Sequence, residues 1–115
     1  MTSFHKVVLE FNCLLTQHKL LESLEFYDSE IISTDNLHQP VKGISALKEK
    51  TEDFIENATI DAIEVVSLLS EDNLSVTNWW YAFTHKKFGK VAGHRFSVQR
   101  WKNNKIIQEN HFYVE

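Results

Sequence analysis

Apolar residues recur at three- and four-residue steps through Phe4, Val7, Val8, Phe11, Leu14 and Leu15, which predicts a helix over residues 3–16 with one buried stripe and a polar opposite face. After Thr16, Gln17 and His18, a second short helix directs Leu20, Leu21 and Leu24 inward, and Phe26 and Tyr27 lead into a short strand at 30–34. Residues 35–43 read as a loop punctuated by Pro40 and Gly43. Ser45 is the expected N-cap of a third helix whose buried side is Leu47, Thr51, Phe54 and Ile55.

From residue 59 onward the period shortens to two, and four strands are predicted at 59–69, 74–85, 91–102 and 105–114. Strands of ten or so residues are about twice the usual length, and in a short chain they must twist and bend, giving the sheet a concave and a convex face. The helices are expected to cover the concave one. Asn103 and Asn104 form a two-residue turn, because Asn tolerates the positive φ angles such turns require, and this fixes the register of the last hairpin.

A length of 115 residues fits one domain spanning 1–115, and 43% hydrophobic residues with only 3 Gly and 1 Pro argue for a filled interior rather than disorder. The lone Cys13 cannot form an intramolecular disulfide and reads as packing. With no secretory leader at the N-terminus and no long apolar run, the expected place is the cytoplasm, without membrane contact. Residues 1 to 72 hold 5 Lys/Arg and 14 Asp/Glu, and residues 73 to 115 hold 7 and 2, so acidic helices complement basic strands. Lys86, Lys87, Lys90, Arg95 and Arg100 are spread over a loop and two strands, which does not make a nucleic-acid stripe. His5, His18 and His85 share no metal-ligand spacing with a Cys, Asp or Glu cluster. No phosphate-binding Gly loop, nucleophile elbow or Cys-x-x-Cys is present, and no cofactor is expected.

In this order of elements, three segments carry a resemblance: Phe26-Tyr27-Asp28 before the first strand, Pro40-Val-Lys-Gly43-Ile ahead of the third helix, and the Arg100-Trp-Lys-Asn-Asn-Lys-Ile106 hairpin. The chain resembles the SnoaL-like and ketosteroid-isomerase-like proteins of the nuclear-transport-factor-2-like superfamily over essentially its whole length. The resemblance implies an α+β fold in which a highly curved, mostly antiparallel sheet forms a cone-shaped barrel around N-terminal helices. It also implies cofactor-independent proton chemistry by a carboxylate or His inside that cone.

Aligned on the Pro40/Gly43 spacing, the isomerase's general-base aspartate falls at Thr34 or, shifted by one, Asp35. Its two oxyanion donors fall at Phe11 and Ser97, which cannot do that work. The cyclase-like members instead imply a catalytic Asp or His on the last strand, and the hairpin register turns Glu109, His111 and Tyr113 into the cone. Trp79, Tyr81, Phe83 and His85 face the same way on one neighbouring strand, and Arg95, Ser97, Gln99 and Trp101 on the other. Outward then lie Trp80, Ala82, His94, Phe96 and Val98, an apolar face that a sheet-to-sheet homodimer would cover.

The candidate catalytic residues are His111, Glu109 and Asp35, and the candidate ligand-binding residues are Tyr81, Arg95, Gln99, Ser97, His85, Trp101 and Tyr113, acting on a small molecule. Two functions stay open. One is an isomerase, cyclase or lyase using His111 and Glu109 as an acid/base pair, with Tyr81 or Arg95 steadying negative charge. The other is a non-catalytic ligand-binding or association module that dimerises through the sheet. Convergence of Glu109 and His111 in an open cone favours the first, and aromatic filling of the cone favours the second.

Overall fold

The computed structural model describes residues 3–114. Helix α1 spans Phe4–Thr16, and the Ser3 hydroxyl caps it by accepting the Lys6 N–H at 3.3 Å. It ends in a Schellman arrangement with His18 at φ 65, where Lys19 N–H reaches Leu14 O at 2.8 Å and His18 N–H reaches Leu15 O at 2.9 Å. A one-turn helix α2 (Leu20–Ser23) and a 3₁₀ turn (Leu24–Phe26) deliver the chain to strand β1 (Tyr27–Asp35). After them come β2 (Val41–Lys42), helix α3 (Ile44–Asn57), β3 (Ala58–Glu71), β4 (Leu74–His85), β5 (Gly89–Lys102) and β6 (Lys105–Tyr113).

The six strands form one mixed α+β sheet in the order β2-β1-β6-β5-β4-β3, so β2 and β3 are edges and the curved sheet does not close. All neighbours are antiparallel except β1 and β6, which run parallel. Irregularities at Ile60/Ala62 and Val65/Ser67 of β3, and at Arg100/Trp101 of β5, bend the long strands. Both two-residue hairpin turns use positive φ at both positions, Asp72 and Asn73 at 50 and 61, Asn103 and Asn104 at 51 and 62.

Several expectations are corrected. The first strand begins at Tyr27 rather than residue 30, because Tyr27 pairs with Ile106 of β6. The 35–43 loop contains β2. Ser45 is not the cap of α3: that place belongs to Gly43, at φ 89, whose N–H is held by Ile31 O at 2.7 Å. Leu21 and Ile55 are 40% and 43% exposed, so neither short stripe is fully buried.

Helix α1 packs its Val7, Val8 and Phe11 against Ile31, Leu47, Trp101 and Ile106. The Phe11 ring meets Phe26, Tyr27 and Trp101 edge to face, each at 5.7 Å, and Phe4 meets Trp101 in the same way. Such pairs contribute about 0.5–1.5 kcal/mol each beyond burial. This aromatic cluster fills one end of the concave face. Among the described residues no helix is long and apolar enough to cross a membrane.

Candidate functional site

Strand register lines up three rows of inward side chains above the aromatic cluster. The deepest runs Ser33, Glu109, Gln99, Ser75 across β1, β6, β5 and β4. Next comes Asp35, His111, Ser97, Thr77, and beyond it Tyr113, Arg95, Trp79. Successive rows are two residues apart on each strand, so all point to the same face.

Glu109 is 2% exposed and fully hydrogen-bonded. Its Oε1 accepts from Tyr27 Oη at 2.8 Å and Gln99 Nε2 at 2.9 Å, and its Oε2 from Ser33 Oγ at 2.7 Å, with His111 Nε2 3.1 Å away. Burial alone would raise its pKa. The charge of His111 and the hydrogen bonds from His111, Gln99 and Ser33 outweigh that and bring it from 4.5 to about 2. Glu109 is therefore a fixed negative charge rather than a proton carrier near neutral pH. Burial, followed by the Glu109 charge, pushes the Tyr27 hydroxyl well above its ordinary range and keeps it a donor. Gln99 is itself oriented by Ser75 at 3.3 Å, and Ser75 takes the Trp101 indole N–H at 2.9 Å.

His111 is held from both sides. Its Nε2 faces Glu109, and its Nδ1 lies 2.8 Å from Ser97 Oγ. A carboxylate accepts only, so Nε2 carries a proton, and in the neutral ring the lone pair sits on Nδ1 toward Ser97. At the rim Asp35 meets Arg95 at 3.2 Å and Lys50 of α3 at 2.9 Å, and Arg95 lies over the Tyr113 ring at 5.4 Å. Burial opposes ionisation of Asp35, but Arg95, Lys50 and His111 lower its pKa overall. Arg95 is thus paired with Asp35, and Glu109 with His111.

Of the residues anticipated from sequence, the fold brings together Glu109, His111, Gln99, Ser97, Asp35, Arg95 and Tyr113. Trp101 faces inward but belongs to the aromatic core. Tyr81 stacks on Phe83 at 5.7 Å, further along β4. His85 stacks on Phe88 at 4.7 Å and accepts the Lys87 N–H in the β4–β5 turn. It pairs with Gly89, ten residues of strand from Gln99, or roughly 33 Å.

Sequence reasoning missed Tyr27, Ser33, Thr77 and Asn12. The usable signal for Asn12 was its position one turn after Val8, a polar residue inside the apolar stripe. It is 3% exposed, its Nδ2 donates to Thr77 Oγ1 at 3.3 Å, and its Oδ1 has no hydrogen-bond partner among the described residues. An unmet buried acceptor costs about 1–3 kcal/mol.

Two hollows lie apart from these rows. One of about 340 Å³ is lined by Val7, Glu10, Glu25, Phe26, Asn104 and Lys105, and one of about 130 Å³ lies where α3 meets β3. Along the chemistry-bearing rows exposure rises toward the rim, from 2% at the Glu109 side chain to 11% at His111 and 34% at Arg95.

No family model and no curated protein matches the chain. Solved structures do. A Mesorhizobium loti protein described as a SnoaL-like polyketide cyclase is 21% identical with a TM-score of 0.87, covering 97% of this chain and 100% of that one. A Catenulispora acidiphila protein of ketosteroid-isomerase-like fold, solved with trimethylamine, is 9% identical with a TM-score of 0.79, covering 95% and 85%. A Cytophaga hutchinsonii nuclear-transport-factor-2-like protein of unknown function is 10% identical with a TM-score of 0.79, covering 97% and 100%. The chain thus shares its fold with these SnoaL-like, ketosteroid-isomerase-like and nuclear-transport-factor-2-like proteins.

Proposed function

We propose that the protein binds a small organic molecule on the concave face of its sheet and carries out cofactor-independent acid/base chemistry of the isomerase, cyclase or lyase type. His111 transfers the proton. The observation that carries this is the orientation of its imidazole: Glu109 fixes Nε2–H, leaving Nδ1 as the basic atom beside Ser97. Glu109 acts through His111 and is a positioning residue, kept charged by Tyr27, Ser33 and Gln99.

Isomerisation, aldol-type ring closure and elimination beside a carbonyl all begin with removal of a proton from the neighbouring carbon. Imidazole is the side chain whose ordinary range suits that step near neutral pH. Arg95, one row above Ser97, is the cation placed to steady a developing enolate oxygen, and Asp35 holds it there. Likeness to a protein described as a polyketide cyclase, and to one solved with trimethylamine, supports a small-molecule ligand.

Deuterium uptake beside the carbonyl of cyclic ketones in D₂O, followed by proton NMR, tests this reading. Wild type is expected to exchange at least about 100-fold faster than His111→Gln, with both proteins folded. Equal rates overturn it.

A second reading follows from the packing of Phe4, Phe11, Phe26, Tyr27 and Trp101: a non-catalytic ligand-binding or association module. On either reading the outward sheet face meets a second copy of the chain. Phe96 and Phe112 are cross-strand neighbours, 45% and 47% exposed, beside Val98, Asn78 and Asn110. That central patch bears no charge, so a two-fold partner presents no like-charge repulsion.

A further inference from the structure

Asn12 has no part in holding His111 or Glu109. Its Oδ1 is the buried side-chain oxygen or nitrogen left without a hydrogen bond among the described residues. Exchanging the two ends of the amide would still leave one of them unpaired. Thr77 Oγ1 accepts from Asn12 Nδ2 and keeps its own proton to give. Thr77 stands opposite Ser97, and Ser97 opposite His111, so this pair belongs to the row that ends at the imidazole. Two strand spacings, about 10 Å, separate the backbone of Thr77 from that of His111.

We propose that Asn12 and Thr77 form the recognition point for a hydroxyl group of the ligand, which makes the ligand class a hydroxylated carbonyl compound. A hydroxyl gives its proton to Asn12 Oδ1 and accepts one from Thr77. A plain ketone or ether satisfies only Thr77, and an ammonium only Asn12. The hydroxyl takes its place beside Asn12 and Thr77, whose own hydrogen bond is 3.3 Å long. The carbonyl end then lies toward Ser97 and His111, so this inference rests on the function proposed above.

The test is a titration of ¹⁵N-labelled protein with cyclohexanone and 4-hydroxycyclohexanone, following the Asn12 side-chain amide and the His111 ring by NMR. Wild type is expected to bind the hydroxy ketone about tenfold more tightly, the effect of one buried hydrogen bond, with the Asn12 amide shifting only for that ligand. The double variant Asn12→Leu with Thr77→Val is expected to bind the two ketones alike and to melt no lower than wild type, because replacing both partners removes an unmet acceptor. A preference that survives in the double variant, or a lowered melting temperature with no loss of preference, overturns the assignment and leaves Asn12 a structural residue. If both ketones shift His111 with equal affinity in wild type, the hydroxyl assignment alone falls. If neither ketone shifts His111, the site itself falls and takes this inference with it.

Discussion

A buried carboxylate with four partners governs the rest of the site. Because the Glu109 pKa is depressed from 4.5 to about 2 on folding, its ionised form stabilises the protein above pH 4.5, and that contribution is lost as the pH falls from there toward 2. Glu109→Gln preserves the size but presents an amide NH₂ to groups that donate, Tyr27, Ser33, Gln99 and His111. Urea denaturation at neutral pH is expected to show a loss of about 2–4 kcal/mol in this variant. The gap from wild type should narrow as the pH is lowered from about 5 to about 3, since acid removes from wild type what the substitution already removed. A gap that stays constant over that interval means Glu109 is not a charged, stabilising group in the folded protein.

Elements differ in how much of their position the chain reveals locally. The last hairpin's turn was legible because Asn103 and Asn104 specify a two-residue turn, but alternation counted from that turn would set Gln108 opposite Gln99, and it is the register shift between Arg100 and Trp101 that brings Glu109 there instead, at 2% exposure, and leaves Gln108 exposed. The same alternation correctly turned Ser97 and Gln99 inward. It carries no information on distance along the strand axis, which is why His85 has the right face but lies at the wrong end of β4. Parallel pairing of β1 with β6 was not legible, since it joins residues some 76 positions apart without a local turn signal. That pairing brings Ser33 and Asp35 to the site and extends β1 back to Tyr27. Gly43 replaced Ser45 as the start of α3 for a similar reason: its N–H is already committed to Ile31 of β1, so the sheet sets where the helix begins. Leu21 sits on a helix of 4 residues, too short for a periodic stripe to define a buried face.

At the scale of the molecule, the sheet separates two kinds of surface: polar rows on the concave side, and on the convex side Phe96, Phe112, Val98 and Trp80, the last against His94 at 5.2 Å. Covering that face with a second copy predicts sedimentation near twice 13.5 kDa at micromolar concentration. Phe96→Glu is expected to weaken the dimer by at least about 2 kcal/mol while leaving the concave side folded. A wild-type monomer at that concentration contradicts this use of the face. Both sides depend on one sheet register, and its sharpest chemical consequence is the protonation pattern of a single ring. Two-bond nitrogen-proton correlation NMR of His111, with the pH raised until the ring is neutral, reads that pattern directly. The expected pattern is Nε2–H with a bare Nδ1, reduced toward a tautomer mixture in Glu109→Gln; a wild-type ring protonated at Nδ1 contradicts the proposed role of His111.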